Sequence, residues 1–475
     1  MFFWLESINH GVNQFVWGPG MIAVFLFTGI YLTVGCGWFQ IRHVKLWIGQ
    51  TLLSLFRSGE AHHAGEKGSI SQFQSFCTAL AATLGTGNIT GVATAILTGG
   101  PGAVFWMWIS AFFGMMTAYA ESVLGIRYRK KDKDGNWNGG AMFYMEQGLH
   151  CRWLAVIFSI CCIMASLGMG NMTQANAMAA GLKGAFGIPT AVTALLVMAV
   201  TALVLFGGIQ RIGRLTERLV PFMAIFYLAG GCFVIFCHAE QLPEALASIV
   251  TCAFTPVAAG GGIAGYSVQQ AVKMGVARGI FSNEAGLGTS VMAHAAAHVK
   301  EPAVQGMWAI FEVFVDTMIV CTITALVILT SGVYQPEIGL LHLSSGMEGV
   351  DGTTLTGMAF STAIPNGGKF LAVATVLFAF ATIIGWSYFG MQAVTYLFHG
   401  RGRRWYQLLY LFCIFPGCTL GSGFIWEVAD TMNGMMAIPN LTALLLLSKE
   451  VFGITREACS RSAVCDKIQQ KEHTR

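Results

Sequence analysis

Apolar segments long enough to cross a bilayer recur from residue 17 to residue 448, and they leave few architectures open to the chain. A hydrocarbon core about 30 Å thick takes roughly 20 helical residues at about 1.5 Å each. By that measure we count eleven spans: 17–38, 71–98, 103–127, 153–182, 189–207, 217–238, 280–297, 303–332, 367–397, 405–422 and 428–448. Backbone groups in hydrocarbon must find their partners within the segment, so these runs predict an all-α polytopic membrane protein. Only 11% of residues are charged, against roughly 25% in soluble domains. The even spread of spans makes residues 1–475 a single transmembrane domain.

The loops give the orientation. Cations gather in 39–70 (Arg42, Lys45, Arg57, Lys67), 128–152 (Arg129, Lys130, Lys131, Lys133, Arg152) and 208–216 (Arg211, Arg214). They recur at Lys300, at Arg401, Arg403 and Arg404, and in the tail 449–475 with Lys449, Arg456, Arg461, Lys467 and Lys471. The intervening loops are poor in cations or carry Glu240, Glu244, Glu337, Glu348, Asp351 and Glu427. With cytoplasmic loops rich in Lys and Arg, an odd span count puts the N-terminus outside and the C-terminus in the cytoplasm of a plasma membrane, read as a bacterial inner membrane. The net charge of +4 lies in these clusters and argues against a nucleic-acid partner.

Cys36, Cys77, Cys161, Cys162, Cys321 and Cys413 sit inside apolar runs and read as small core residues rather than a disulfide framework. The first 20 residues lack the basic start of a cleavable leader, so the first span is expected to be retained. The stretch 239–279, with Pro243, Pro256 and glycines at 260–262, reads as an external re-entrant or surface-lying segment, with an amphipathic helix over Gly265 to Arg278.

Span 71–98 is the most informative. Ala81-Ala-Thr-Leu-Gly-Thr-Gly-Asn-Ile-Thr-Gly91 places three glycines and three threonines at mid-membrane. Each glycine weakens a helix by roughly 1 kcal/mol relative to alanine, and freed backbone groups are tolerated in a membrane only where buried in protein or lining a cavity. The expectation is an unwound hinge, with N–H groups offered to an anion and carbonyls to a cation; close helix packing through small residues is the competing reading. The glycine spacing and the lack of a preceding strand exclude a nucleotide fingerprint. Five spans later, Phe281-Ser-Asn-Glu-Ala-Gly-Leu-Gly-Thr-Ser290 has the same character. Five spans per repeat inverts the second copy, so repeats over 71–238 and 280–422 would bring both breaks to the midplane, leaving 17–38 and 428–448 outside the repeat.

Four segments together carry a family resemblance: Thr83-Leu-Gly-Thr-Gly-Asn-Ile-Thr-Gly91, Gly170-Asn-Met-Thr-Gln-Ala-Asn176, Phe281-Ser-Asn-Glu-Ala-Gly-Leu-Gly288 and Gly385-Trp-Ser-Tyr-Phe-Gly390. The chain resembles the alanine or glycine:cation symporters over nearly its whole length. That resemblance implies a leucine-transporter-like fold and sodium-coupled import of small neutral amino acids such as alanine and glycine by alternating access, with sodium as the coupling ion and no other cofactor. It implies that the N–H groups around Thr86 and Gly87 receive the substrate carboxylate, and it places one sodium between the carbonyls of Ala81 and Leu84 and the hydroxyl of Thr382, oxygen ligands suited to a hard cation.

Other candidates come from the residues themselves. Gln174 carries an amide at a depth where it needs a partner, either the substrate or another helix. Trp386 would wall the pocket against larger side chains, with an interfacial belt as the alternative. Asn283 is a further substrate candidate and Asn88 a ligand for a second cation. Thr382 could instead bond back to its own turn.

Glu312 and Asp316 lie one turn apart in one span, where buried acids serve pathways and relays or pair with hydroxyls such as Thr322 and Thr324. A proton-coupled carrier using them is therefore the rival function. Glu121 has Arg127 nearby as a local charge partner. Neither an HExxH nor a GxSxG motif is present, and His294-x-x-x-His298 lacks the glutamate of a metalloprotease, so an enzyme is not expected. Two breaks in one chain favour alternating access over a ring-lined channel. The expected partners are a small amino acid, sodium and lipid, with the chain functioning as a monomer.

Overall fold

The computed structural model describes residues 2–56, 61, 69–132, 135–255, 257–259, 263–266, 268–334, 352–420 and 423–473. The expectations for Arg57, Lys67, Lys133, Pro256, residues 260–262, Glu337, Glu348 and Asp351 fall outside these. Among the described residues the protein is all-α apart from short antiparallel pairs at Lys130–Lys131 with Trp137–Asn138 and at Val257–Ala259 with Ile263–Tyr266, and a parallel bridge between Ile70 and Ala297.

Among the described residues six helices are long and apolar enough to cross a membrane: Glu6–Gly35, Gly102–Arg127, Arg152–Phe186, Gly208–Cys237, Pro302–Thr330 and Gly367–Leu397. Two pairs bent by 60°, Gln72–Thr83 with Thr86–Gly99 and Glu427–Leu446 with Ser448–Arg461, bring the number to eight. The other three expected spans are helical but short or interrupted: Thr190–Leu205 has 16 residues, Arg403–Thr419 has 17, and the span expected at 280–297 is broken. Phe15, Leu203, Ile225, Phe236, Trp405 and Phe412 stand exposed on the outer faces of these helices, as lipid-facing side chains do. The described cysteines are free, with Cys77, Cys161, Cys162 and Cys321 buried and Cys36 and Cys413 half-buried.

The stretch expected to be external needs correction. Residues Val268–Asn283 form one helix, the first half of the second broken span, and it packs along Gly102–Arg127. Gly275 and Gly279 permit that approach: a Cβ on either would stand 2.2 Å from the Ala103 carbonyl oxygen or 2.3 Å from the Ser110 hydroxyl. Small residues four apart let membrane helices meet this closely, whereas our reading weighed the polar residues of the run as a surface signal. The preceding helix Leu242–Phe254 also packs against Gly102–Arg127, burying Ala245, Ile249 and Ala253.

The first broken helix opens at a capping box, in which Ser71 Oγ accepts from Gln74 N and Gln74 Oε1 accepts from Ser71 N, both at 3.1 Å. Gln72–Thr83 runs to the break, a single 3-10 turn spans Thr86–Asn88, and Thr90–Gly99 continues. Helix Gly352–Ser361 leans on this outer half: Thr353 and Thr90 hydroxyls are 2.8 Å apart, and Gly352 would carry a Cβ 2.4 Å from the Thr90 carbonyl oxygen.

Candidate functional site

The first break is built from backbone that has left the helix. Leu84 N still bonds Leu80 O at 2.8 Å, but Gly85 N, which would close on Ala81 O in a continuing helix, donates to Asn88 Oδ1 at 3.0 Å. The last carbonyls of the half-helix are thereby released from the ladder. Gly85 is required by crowding, since its Cβ would stand 2.7 Å from Thr382 Oγ1 and 3.4 Å from Gln174 Oε1. The Thr382 hydroxyl lies 3.2 Å from Leu84 O and 3.1 Å from Phe378 O, so its one proton is shared between the break and its own turn. Ala81 is fully buried in the last turn before the break.

Thr86 and Gly87 stand beyond the gap. Thr86 N reaches Gln174 Oε1 at 3.4 Å, and the Thr86 hydroxyl is buried with no hydrogen-bond partner among the described residues. Gln174 Nε2 donates to Met169 O at 3.2 Å. That carbonyl lies in a π-helical turn, Gly168–Met172, of a kind that frequently marks functional sites. Tyr410 stabilises the turn by donating to Gly170 O at 3.1 Å, and Asn171 Nδ2 donates to Tyr410 O at 2.6 Å. Trp386 is fully buried against the same turn, where a Cβ on Gly170 would stand 2.4 Å from it. Trp386 is thus packed inside the bundle and is not an interfacial belt residue.

A cavity of about 560 Å³ descends to Thr86 and Gly87 from a mouth formed by the exposed Gly184 and Gly368, with Asn176, Arg278, Phe281 and Thr375 on its sides. The mouth is at the end of the bundle away from the basic loops, because Arg152–Phe186 starts at the basic loop 128–152 and carries Gly184 at its other end.

Asn88 and Asp316 form a second cluster that our sequence reading treated as two unrelated candidates. Asn88 Nδ2 donates to Asp316 Oδ1 at 2.8 Å and to Ser282 Oγ at 2.9 Å. The hydroxyls of Ser282 and Thr317 donate to Asp316 Oδ2 at 2.9 and 2.8 Å. Asp316 does pair with hydroxyls, but not with those expected: Thr322 donates to Thr317 O and Thr324 to Asn88 O. Spacing along one helix cannot reveal partners supplied by two broken helices.

Asn283 is turned away from the cavity. Its amide donates to Thr317 Oγ1 at 3.1 Å and its carbonyl accepts from Ala285 N at 3.0 Å, so both ends serve packing around the second break. Glu121 also corrects our reading. Six residues, about 600° of helix, put it on a different face from the exposed Arg127. Its Oε1 instead accepts Gly286 N and Gly288 N, each at 3.0 Å, and Asn440 Nδ2 at 2.5 Å. Gly286 and Gly288 adopt φ of 94° and 76°, and Glu284 adopts 56°. Glu284 Oε1 accepts the Trp386 indole N–H at 3.0 Å, and its Oε2 accepts Thr289 Oγ1 at 2.6 Å. Sequence reasoning missed Glu284 altogether, although an acid inside a glycine-rich membrane segment is itself a signal.

Arg129 closes the far end of this span, donating to Ala295 O at 2.9 Å, Ala297 O at 2.5 Å and Val299 O at 2.7 Å. Burial lowers its guanidinium to about 10, so it remains charged at neutral pH.

The comparisons with known proteins meet the geometry here. The model of the sodium:alanine symporter family matches residues 2–470. The chain belongs to the sodium:alanine symporter family. It is 41% identical over 456 residues to the sodium/alanine symporter AgcS of Methanococcus maripaludis, covering 95% of this chain and 96% of that one. An uncharacterized transporter of Haemophilus influenzae is 41% identical over 461 residues, covering 96% and 97%. The "Probable sodium/glutamine symporter GlnT" of Bacillus subtilis is 38% identical over 450 residues, covering 94% and 89%. Among solved structures the fold matches MhsT in complex with L-phenylalanine, with a TM-score of 0.59 at 13% identity over 81% of this chain and 90% of that one. This family member is thus a multi-pass membrane transport protein of leucine-transporter-like fold, and not an enzyme.

Proposed function

We propose that the protein imports alanine, glycine and similarly small neutral amino acids together with sodium. The observation that carries this reading is the first break, where the cavity ends on Thr86, whose buried hydroxyl has no partner among the described residues, and on the start of the outer half-helix, with the released carbonyls of the inner half-helix just behind. The substrate carboxylate sits on the N–H groups around Thr86 and Gly87, at the positive end of the outer half-helix. Gln174 Oε1 receives an N–H of the ammonium group. Trp386, held by Glu284 and backed by Gly170, leaves room for a side chain no larger than a methyl group or little more.

Sodium is coordinated by the carbonyls of Ala81 and Leu84 and by Thr382 Oγ1, which already lies against Leu84 O. A second cation is held by the Asn88 region, where Asp316, Ser282 and Thr317 supply further oxygens. Sodium at the half-helix C-terminus offsets the negative end of its dipole and fixes the unwound segment in the shape that binds the amino acid. The loaded site then closes at the cavity mouth and opens towards the basic loops, which we place in the cytoplasm, with the N-terminus outside. Repeats over 71–238 and 280–422, the second together with the helix Val268–Asn283 that leads into it, move against each other in this step. The chain acts as a monomer.

The test is uptake of radiolabelled alanine into proteoliposomes under a sodium, a potassium or a pH gradient imposed separately. Uptake driven by inward sodium alone supports the reading. Uptake driven by the pH gradient alone would transfer the coupling to a proton and overturn it.

A further inference from the structure

Between the second break and the basic loops lies a hydrogen-bonded chain of polar groups with no part in the site just described. Ser75 Oγ donates to Ala293 O at 2.9 Å, so it accepts from Gln305 Nε2, 3.2 Å away. The second proton of that amide nitrogen points to His294 Nδ1 at 2.7 Å, which makes Nδ1 an acceptor. The ring proton therefore sits on Nε2 and is donated to Glu312 Oε2 at 2.7 Å. The protons along the chain are fixed by these neighbours, and two of its oxygens, Gln305 Oε1 and Glu312 Oε1, are buried without a hydrogen-bond partner of good geometry among the described residues, with the Thr83 hydroxyl beside the Glu312 carboxyl.

Glu312 and His294 are 1% and 0% exposed. The other charged groups facing Glu312 are acids: Glu121 on Gly102–Arg127, Glu284 at the second break and Asp316 on its own helix. A net negative charge enclosed there, among carboxylates and away from water, is costly, whereas a proton on Oε1 leaves the pair neutral. The cavity that reaches Thr86 includes neither residue, and His294 and Gln305 flank the turn through Lys300, which places the pair towards the basic end of the bundle.

We propose that Glu312 is a proton-binding site, relayed by His294, that loads and unloads at the cytoplasmic side. The proton allows that side to close, because only the neutral pair can be enclosed. It passes from water to Glu312 Oε1 and back on the same side, and no proton crosses the membrane. This inference rests on the sodium-driven reading above and differs from proton coupling, which needs access from both sides.

The experiment measures sodium-driven alanine uptake by the full chain in proteoliposomes, with the inner and outer pH set independently. Uptake is expected to fall at least fivefold as the inner pH is raised from 6 to 9 and to stay within twofold across the same outer range. E312Q, which is neutral at every pH, is expected to show no inner-pH dependence. H294Q removes the imidazole and keeps the acid; it is expected to move the inner-pH midpoint by tenfold or more in proton concentration, which decides the matter should E312Q be inactive. A flat inner-pH profile for the natural protein, or an H294Q midpoint unchanged from it, would overturn the proposal. Absence of any sodium-driven uptake would instead overturn the functional reading on which it rests.

Discussion

The two broken helices look alike in sequence and differ in what they leave free. At the first break the half-helix carbonyls are released, and the Thr86 hydroxyl is buried with no partner among the described residues. At the second, the amides of Gly286 and Gly288 are taken up by Glu121, and Glu284 is engaged by Thr289 and Trp386. The lesson is that an unwound membrane helix is a ligand site only where its own protein has not already answered its polar groups. The first break keeps the Thr86 hydroxyl unanswered beside the cavity; the second is a joint held by buried carboxylates, with Glu121 Oε2 as the one oxygen of Glu121 left over. Buried polar groups are costly unless partnered, so the difference has consequences of measurable size.

The largest effect should come from unlocking the second break. Glu121→Ala strands the amides of Gly286 and Gly288, each at a cost of about 1–3 kcal/mol, and one N–H of Asn440, whose bonds to Gly286 O and Tyr144 remain. We expect a sharp loss of thermal stability in detergent, read by size-exclusion chromatography after heating. A variant as stable as the parent would break the comparison. Next comes Thr382→Ala, which should raise the sodium concentration for half-maximal uptake about tenfold, roughly 1.4 kcal/mol, with little loss of stability. Thr86→Ala keeps the backbone amide and removes only the hydroxyl; a threefold to tenfold weakening of alanine binding is expected, about 0.5–1.5 kcal/mol. The smallest effect should be that of Asn283→Ala. Its side chain bonds only within the packing around the second break, so apparent alanine affinity in uptake assays should stay within about twofold. A tenfold loss there would make the second break a substrate site as well.

The sequence exposed some of this and hid the rest for physical reasons. Span length and hydropathy announced the helices, and the glycine-threonine run from Thr83 to Gly91 announced the first break, because both are local. Thr382 lies against Leu84, the two groups that the resemblance puts together, whereas the meeting of Gln174 with Thr86 had no signal in the sequence. The position of Val268–Asn283 was hidden because its polar residues read as solvent-facing, while Gly275 and Gly279, which seat it against Gly102–Arg127, report on packing between helices and not on hydropathy. Partners such as Glu121 with Gly286, or His294 with Glu312, are separated by 165 and 18 residues and leave no periodic trace in the chain. Asn283 shows that an amide beside a break can serve the joint as readily as a ligand.

The central claim, that the first break is where sodium and the amino acid meet, is tested most directly by equilibrium binding of alanine to the purified protein in sodium or potassium at equal ionic strength. The account predicts that sodium tightens alanine binding at least about tenfold and that Thr382→Ala abolishes most of the difference. Equal affinity in the two salts, or a sodium effect that survives in Thr382→Ala undiminished, would contradict it.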